Sequence, residues 1–252
     1  MSTSMSLKKN SIVVGANGDI AQAIINELLN DDDNLFVYAI SRKKPPLHLK
    51  QNSRLIWFKC DYEENSIDEI CKNLNEHNNL NNIPFNRVFI CNGILHDADL
   101  KPEKKIDDLN FKNFHKVINA NSLIPLLWIK YLKPVLNNEC KCHITVFNAR
   151  VGSISDNKLG GWYTYRASKA SLNMLLKNVS IEFSRTMKNI KIISFHPGTT
   201  DTKLSKPFQK NIADNKLFSP AFVANKLLEI ISHTPHDGEL SFVDWKNDNI
   251  LW

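Results

Sequence analysis

The stretch that sets the architecture lies near the N-terminus and reads Ser11-Ile12-Val13-Val14-Gly15-Ala16-Asn17-Gly18-Asp19-Ile20-Ala21. Its first four residues form a short apolar run typical of a buried strand, and apolar residues then recur at helical spacing as far as Leu29. Glycine is scarce, with 8 in 252 residues, so two glycines in one turn are informative. They let the backbone turn tightly and let a pyrophosphate approach the helix N-terminus. The stretch therefore predicts a strand–turn–helix unit that binds a phosphate group.

The rest of the chain continues this alternation of apolar runs and helical patterns. Further strands are predicted at 35–40, 55–58, 87–91, 143–147, 190–195 and 240–243, and helices at 20–29, 67–74, 111–136, 165–187 and 220–231. Such alternation favours right-handed βαβ crossovers and a parallel sheet covered on both faces. The predicted fold class is α/β, with one Rossmann-type, doubly wound parallel sheet in three layers (α/β/α). We expect this single domain to span 10–252 after a flexible N-terminus at 1–9, and we interpret the Asn-rich stretch 75–82 as a surface loop.

Composition and charge exclude several classes of protein. With 42% hydrophobic and 23% charged residues, the chain is close to the globular average, which excludes collagen-like, coiled-coil and wholly disordered chains. The formal charge is +6, but basic residues are scattered among acidic ones, so no nucleic-acid partner is expected. The longest strongly apolar stretch, 123–129, is too short to span a bilayer, and residues 1–10 lack the apolar core of a secretory signal. No membrane partner is expected either.

Cysteine and histidine spacings argue against a disulfide framework and against a metal site. The five cysteines form no C-x-x-C pair, and we interpret all of them as reduced thiols, which favours a cytoplasmic location. Four of the histidines, His96, His115, His143 and His196, do not follow the spacing of metal ligands. We therefore expect no bound metal.

The end of the second predicted strand discriminates between dinucleotides. An acidic residue there would bind the adenosine ribose hydroxyls of NAD, but this chain has Ser41 and Arg42 instead. A hydroxyl and a guanidinium suit a 2′-phosphate, which predicts NADP(H) in preference to NAD(H). A merely solvated basic loop is the alternative reading. Asp61, after the third strand, is expected at the adenine edge, and Asn92-Gly93, after the fourth, would let the backbone pass close to the cofactor.

A tyrosine and a lysine four residues apart, Tyr165 and Lys169, share one face of the helix that follows the fifth strand. A phenol with a pKa near 10 is a poor acid or base at neutral pH. A neighbouring ammonium stabilises the phenolate and is expected to lower that pKa. The pair is common by chance in a lysine-rich chain, so its position in a dinucleotide-type sheet is what makes it specific.

Together these pieces resemble the classical short-chain dehydrogenase/reductase family over essentially the whole chain. The matching residues are the glycine turn, Asp61, Asn92-Gly93, Asn121, Tyr165-x-x-x-Lys169 and the run Pro197-Gly198-Thr199-Thr200-Asp201-Thr202. The stretch 150–157, followed by 160–169, is similar to the C-factor and sniffer-type carbonyl reductase branch. The resemblance implies an NADP(H)-dependent oxidoreductase that reduces an aldehyde, ketone or quinone, and a homodimer or homotetramer.

The resemblance also implies a role for each matching residue. Tyr165 would be the general acid in reduction, Lys169 would hold the nicotinamide ribose, and Asn121 would support a water-mediated proton relay behind the lysine. The nicotinamide amide would be framed by Pro197, Gly198, Thr200 and Thr202. The remaining cofactor contacts would come from Gly15, Asn17, Gly18, Asp19, Ile20, Ser41, Arg42, Asp61, Asn92 and Gly93.

Two departures from the family pattern bear on activity. The family has a serine beside the substrate carbonyl, but that position is Ala149 here, so Ser153 and the amide of Asn148 are the alternative donors. Asp19 and Ala21 stand where the glycine turn normally has glycines. Trp162, three residues before Tyr165, is expected at the substrate mouth. These departures leave a second hypothesis open, a catalytically weak or inactive dinucleotide-binding protein that acts as a sensor or in signalling.

Overall fold

The computed structural model describes residues 8–210 and 212–252. Seven strands form one parallel sheet: β1 (Lys9–Val14), β2 (Asn34–Ser41), β3 (Leu55–Lys59), β4 (Phe85–Ile90), β5 (Cys142–Phe147), β6 (Ile190–His196) and β9 (Ser241–Asp244). Across the sheet they lie in the order β3-β2-β1-β4-β5-β6-β9. The predicted α/β fold class and all seven predicted strands are confirmed.

Helices cover both faces of the sheet and make the three layers. They are α1 (Asp19–Asn30), α2 (Glu64–Asn81), α3 (Phe111–Ile118), α4 (Ile124–Leu136), α5 (Tyr163–Thr186) and α6 (Pro220–His233). Apolar residues of α1 and α6 pack on one face, and those of α2, α4 and α5 pack on the other. Strands buried on both faces explain why the sequence shows continuous apolar runs in place of an alternating pattern.

The predicted long helix at 111–136 is continuous but contains a π-helical segment, Asn119–Leu123, between α3 and α4. Segments of this kind insert an extra residue into a helix and are frequent at functional sites. Here the segment contains Asn121, whose side chain is fully buried. The apolar periodicity predicted the helix, but it gave no signal for the change in helical pitch.

The Asn-rich stretch 75–82 is not a loop, so that interpretation is wrong. Helix α2 continues to Asn81 and ends at Asn82, which adopts a left-handed conformation with φ of 50°. The helix buries one face, with Ile67, Ile70 and Leu74 in the core, and exposes charged residues such as Lys72 and Glu76 on the other. The stretch lacks glycine and proline, so nothing in it ends the helix earlier.

A small parallel pair, β7 (Thr199–Thr200) and β8 (Leu217–Phe218), lies beyond the end of β6 and has no counterpart in the sequence prediction.

The expectation of a flexible N-terminus falls mainly on residues 1–7, outside the described residues, and stays a prediction. None of the described helices is both long enough and apolar enough to cross a membrane. Likewise, the described part of the chain contains no cluster of three potential metal ligands.

Candidate active site

Two adjoining cavities open at the carboxyl ends of the parallel strands, where ligands of such sheets bind. The larger, of about 360 Å³, is lined by the glycine turn, by Asn92 and Gly93, and by Lys169. The smaller, of about 250 Å³, is lined by Trp162 and Phe208 among other residues. Tyr165 lines both cavities. The phenol therefore lies where a molecule in one cavity would meet a molecule in the other.

The glycine turn packs directly against the end of β4. Gly15 has a φ of +78°, and a Cβ built on it would lie 2.8 Å from the amide nitrogen of Asn92. Only glycine satisfies both constraints, because other residues rarely adopt this conformation and their Cβ would collide with the backbone. Gly18 caps α1, and its own Cβ would lie 3.3 Å from the carbonyl oxygen of Gly15. Ile20 lines both cavities, one turn further along.

Asp19 replaces a glycine of the family pattern and has a partner of its own. Its carboxylate accepts a hydrogen bond from the backbone amide of Lys203 at 2.8 Å, and both residues line the larger cavity. The carboxylate also lies in the first turn of α1, where the helix dipole favours a negative charge. Asp19 thus joins the start of α1 to the segment that follows β7.

At the end of β2, Ser41 and Asn17 form a hydrogen bond to each other. The Ser41 hydroxyl donates to Oδ1 of Asn17 at 2.6 Å, and the Asn17 amide donates to the carbonyl of Lys44 at 3.3 Å. The serine hydrogen is therefore engaged in ordering the turn. Arg42 is exposed, with its guanidinium over the ring of Tyr62. The structure thus places Ser41 and Arg42 beside the glycine turn, and their contact with a 2′-phosphate stays a prediction.

Asp61 lies outside both cavities, on the surface before α2. Its Oδ1 accepts a hydrogen bond from the amide of Glu63 at 3.0 Å. Hydrogen bonds from the Glu63 amide and the Ser66 side chain lower the pKa of this carboxyl below its usual value. Asp61 is consequently ionised at neutral pH and exposed. Its predicted role at an adenine edge stays a prediction.

Lys169 is buried, and its ammonium donates a hydrogen bond to the carbonyl of Phe147 at 2.9 Å. The same nitrogen lies 5.9 Å from the ring centre of Tyr165. Burial lowers the pKa of Lys169 to about 8 and raises the pKa of Tyr165 to about 12. The expected lowering of the tyrosine pKa is therefore wrong for the chain on its own. Removal of the phenol from water dominates, while the ammonium is engaged with a backbone carbonyl.

Asn121 joins the loop after β4 to helix α5. Its Oδ1 accepts from the amide of Ile94 at 2.7 Å, and its Nδ2 donates to the Ile94 carbonyl at 2.9 Å and to the Ser168 hydroxyl at 3.0 Å. A Cβ on Gly93 would lie 3.3 Å from Oδ1 of Asn121 and 3.8 Å from Nζ of Lys169. Gly93, Asn121 and Lys169 are therefore neighbours, although they are far apart in sequence.

The structure engages one alternative donor for the missing serine, the Asn148 amide, and places the other, Ser153, outside the lining of both cavities. Asn148 is buried, and its Nδ2 lies 2.5 Å from Oδ1 of Asn173 and 2.9 Å from the Ser194 hydroxyl. The Ser153 hydroxyl accepts from the amide of Asp156 at 3.1 Å, and Ser153 is not among the described residues that line the two cavities. Ala149, in contrast, lines both cavities. The position that the sequence analysis aligned with the family's serine thus faces both cavities with a methyl group.

The segment after β6 closes the far side of both cavities. Pro197 and Gly198 line the two cavities. Gly198 has a φ of +71°, and a Cβ on it would lie 2.7 Å from the ring of Phe218, so both constraints favour glycine. Thr202 also lines both cavities, whereas Thr200 is buried and lines only the smaller one. The structure therefore brings this predicted segment to the Tyr165 side of the sheet.

Trp162 packs against Tyr165, and its place at a substrate mouth stays a prediction. Its ring makes edge contacts with Tyr165 at 6.0 Å and Phe208 at 5.0 Å between ring centres. Trp162 has a φ of 50°, and its amide donates to the carbonyl of Glu103 at 2.6 Å. The aromatic rings give the smaller cavity a largely apolar wall.

The sequence did not indicate that three further residues, Glu103, His196 and Tyr62, lie at the site. Glu103 is buried, and its carboxylate accepts from the amide and the hydroxyl of Thr164 at the start of α5. His196 lines both cavities, and burial lowers its pKa to about 4. Tyr62 contacts Gly15 and Arg42. His196 could have been noticed as the last residue before Pro197-Gly198, but Glu103 and Tyr62 have no local sequence signal.

A doubly wound parallel sheet with a glycine turn after β1 and a Tyr–Lys pair on the helix after β5 defines a class, the Rossmann-type oxidoreductases that use a nicotinamide dinucleotide. The family model for short chain dehydrogenase matches residues 9–213. The chain belongs to the short-chain dehydrogenase/reductase family.

Several curated relatives share parts of the sequence. A 1-hydroxy-2-glutathionyl-2-methyl-3-butene dehydrogenase from a Rhodococcus species is 33% identical over 46% of this chain, and the match spans about half of that relative, 49%. A benzil reductase, (S)-benzoin forming, from Bacillus cereus is 24% identical over 87% of this chain and 92% of the relative. The C-signal protein of Myxococcus xanthus is 27% identical over 58% of this chain and 83% of its own length.

Solved structures with the same fold include carbonyl reductases. NADPH-bound carbonyl reductase from chicken fatty liver superposes with a TM-score of 0.84 at 21% identity, covering 97% of this chain and 99% of that one. The carbonyl reductase Sniffer of Drosophila melanogaster gives 0.81 at 17% identity, covering 97% and 100%. At these identities the likeness establishes the fold.

Proposed function

We propose that this chain is an NADP(H)-dependent carbonyl reductase that reduces an aldehyde, ketone or quinone, with Tyr165 as the proton donor. The single observation that carries the proposal is the position of Tyr165, which lines both the cavity of the glycine turn and the apolar cavity beside Trp162. A carbonyl group in the apolar cavity would lie next to a nicotinamide in the larger cavity, and its oxygen would face this phenol. Carbonyl reductases with the same fold, one of them bound to NADPH, support the assignment.

The larger cavity fits a dinucleotide on the evidence of its own backbone. At Gly15 a Cβ would fill the space against Asn92, and at Gly93 it would approach both Asn121 and Lys169. The buried Oδ1 of Asn92 has no hydrogen-bond partner, so a polar atom is available beside this space. When bound, the nicotinamide supplies the hydride.

The side chains divide the remaining work. Burial keeps Tyr165 protonated at neutral pH, which is the form that donates a proton to the developing alkoxide. Lys169, fixed by Phe147, would hydrogen-bond the ribose and the phenol. We propose that Asn121 keeps a water-mediated proton relay open behind Lys169, supported by its position between Ile94 and Ser168. The methyl group of Ala149 supplies no hydrogen bond to the substrate carbonyl, so Tyr165 is the principal hydrogen-bond donor to that carbonyl.

The preference for NADP(H) is supported by the end of β2. Arg42 is exposed beside the glycine turn, and the ion pairs of the described residues do not include it. A guanidinium without a carboxylate partner is suited to a 2′-phosphate.

We further propose a cytoplasmic homodimer or homotetramer. Its support is the resemblance, together with exposed apolar residues on α5 such as Met174, which is 64% exposed.

A second function, a dinucleotide-binding sensor or signalling protein, is favoured by one observation. Ala149 leaves the carbonyl site without the family's serine, and the amide of Asn148 is occupied by Asn173 and Ser194. The C-signal protein is among the relatives. Such a protein would bind the dinucleotide without turning over a carbonyl.

One assay separates the two functions. Purified protein is mixed with NADPH or NADH and a panel consisting of an aromatic diketone such as benzil, a quinone and an aliphatic aldehyde, and nicotinamide absorbance is followed. The proposal expects NADPH consumption with at least one carbonyl and slower consumption of NADH. NADPH binding without turnover on the whole panel would favour the sensor.

A further inference from the structure

Tyr62 occupies an unusual position between β3 and α2. It is not a glycine, yet it has a φ of 72°. Residues other than glycine rarely adopt such a conformation, and it persists only where the surroundings hold it. The ring of Tyr62 is buried and packs edge-on against Trp128 of α4 at 6.1 Å between ring centres. The strained backbone thus serves to place this ring in the interior beside the glycine turn.

The hydroxyl of Tyr62 is bonded into the glycine turn itself. It accepts a hydrogen bond from the amide of Gly15 at 3.1 Å and donates to the carbonyl of Ile40 at 3.4 Å. The Gly15 amide also donates to the Ile40 carbonyl at 2.9 Å. The phenol therefore closes a triangle between the turn after β1 and the end of β2. Its hydroxyl is consequently tied to the backbone on which a dinucleotide would rest.

The face of the same ring supports Arg42. The guanidinium carbon of Arg42 lies 5.6 Å from the ring centre of Tyr62, within the range of a cation–π contact. A ring face holds the guanidinium without consuming its N–H donors, whereas a carboxylate would compete with a phosphate for them. One buried side chain thus contacts both the glycine turn and the arginine at the strand end.

We propose that Tyr62 is a positioning residue for cofactor selectivity: its ring holds Arg42 toward the 2′-phosphate of NADP(H), while its hydroxyl orders the glycine turn. This inference rests on the proposed use of NADP(H). The two parts of the side chain have separable effects. The hydroxyl acts on the turn that both dinucleotides share, and the ring acts only on the group that distinguishes them.

The test measures dissociation constants for NADPH and NADH by calorimetry in Tyr62→Phe, Tyr62→Met, Arg42→Ala and the Arg42→Ala/Tyr62→Met double variant. Tyr62→Phe keeps the ring, so both constants should rise by a similar factor, roughly three- to tenfold, with their ratio unchanged. Tyr62→Met removes the ring, and the preference for NADPH should fall by about three- to tenfold. Arg42→Ala should reduce it by about ten- to a hundredfold. The NADPH-to-NADH preference of the double variant should equal that of Arg42→Ala, because the ring of Tyr62 acts on this preference through Arg42.

Tyr38→Phe and Tyr38→Met are the matched controls. Tyr38 is another fully buried tyrosine of the same core, and its hydroxyl has no hydrogen-bond partner in the structure. Substitutions there should lower thermal stability without moving the NADPH-to-NADH ratio. The ratio is the readout that a merely structural role would not change.

The outcomes separate this inference from the proposed function. If Arg42→Ala lowers the ratio but Tyr62→Met leaves it intact, the inference is overturned and the cofactor assignment stands. If Arg42→Ala leaves the ratio unchanged, or the unmodified protein shows no preference, the assignment to NADP(H) fails and the inference with it. Should Tyr62→Met fail to fold, Tyr62→Phe still decides. A preference for NADPH in Tyr62→Phe as low as that of Arg42→Ala would overturn the role of the ring. An equal loss of affinity for both cofactors in Tyr62→Phe supports it.

Discussion

The ammonium of Lys169 donates a hydrogen bond to the backbone carbonyl of Phe147 at 2.9 Å. This contact joins helix α5 to the last residue of strand β5. Lys169 is buried, so its charge is stabilised by this carbonyl in place of water. The position of the lysine head group is thus set by the strand end, and small changes in the spacing between the two elements should shift this ammonium.

Gly152 tests that spacing. A Cβ at this position would lie 2.8 Å from the carbonyl carbon of Lys169 and 3.0 Å from its Cβ. Gly152 lies in the turn that follows β5, so Gly152→Ala should push α5 away from this turn, lowering stability by about 1–3 kcal/mol and kcat by up to about 10²-fold. Thermal unfolding and NADPH consumption measure the two effects.

Gly160→Ala is the control for this substitution. Gly160 has a φ of +64°, but a Cβ there would meet no heavy atom within 4 Å. It should lose about 1–2 kcal/mol of stability to backbone strain while keeping kcat. Equal activity losses in the two variants would show that the contact with Lys169 is not what matters.

Ala149 predicts a gain of function. The hydroxyl of Ser153 faces its own loop, and the amide of Asn148 is engaged with Asn173. Ala149→Ser should therefore add a missing donor at the carbonyl and raise kcat at least about tenfold, since such donors typically contribute 10²–10³. Ser153→Ala should change kcat little. A strong loss in Ser153→Ala, with no gain in Ala149→Ser, would mean that Ser153 serves the carbonyl after all.

Asp19 predicts an effect of charge on cofactor affinity. Its carboxylate accepts from the Lys203 amide but also brings a negative charge to the start of α1. Asp19→Asn keeps an acceptor for Lys203 and removes the charge, so NADPH should bind about two- to fivefold more tightly at low salt. The gain should shrink as salt screens the repulsion. Weaker binding by Asp19→Asn at every salt concentration would contradict this account.

His143 predicts a loss of stability in mild acid. Burial is the main cause that lowers the pKa of His143 in the folded chain from 6.5 to about 4. A hydrogen bond to Thr234 opposes this shift. The unfolded chain therefore takes up the proton first, so the contribution of His143 is complete above about pH 6.5 and is lost as the pH falls toward 4. The loss amounts to about 2–3 kcal/mol at the acid end.

Chemical unfolding measured between pH 7 and pH 4 checks this prediction. His143→Gln should show a shallower decline than the unmodified protein, because glutamine takes up no proton in this range. His196, whose pKa burial also lowers to about 4, adds a decline that both proteins share. Parallel stability curves for the two proteins would refute the assignment to His143.

The fold was predictable because its determinants are local. Apolar runs such as Ile12–Val14 specify buried strands. Glycine at positions 15 and 198 indicates turns that require a positive φ. The helix end near Asn81 was not predictable from composition. Asparagine is a weak helix former, yet burial of Ile67, Ile70 and Leu74 carries α2 through its polar stretch.

The site was predictable where one residue type carries the chemistry, and not where contacts across the fold decide it. Tyr165 and Lys169 follow from their spacing on one helix, and the structure brings them to the same cavity. The rise in the pKa of Tyr165 depends on burial that only the folded chain creates. The contacts of Glu103 with Thr164 and of Tyr62 with Gly15 join segments dozens of residues apart. No sequence spacing encodes such contacts.

The most direct measurement compares turnover and binding in Tyr165→Phe. This change removes one oxygen and keeps the ring beside Trp162. The account predicts that NADPH consumption with a responsive carbonyl falls by about 10²–10⁴, because the proton donor is gone, while the NADPH dissociation constant and the thermal unfolding midpoint stay close to those of the unmodified protein. Near-normal turnover by a folded Tyr165→Phe variant would contradict the account and remove Tyr165 from the chemistry.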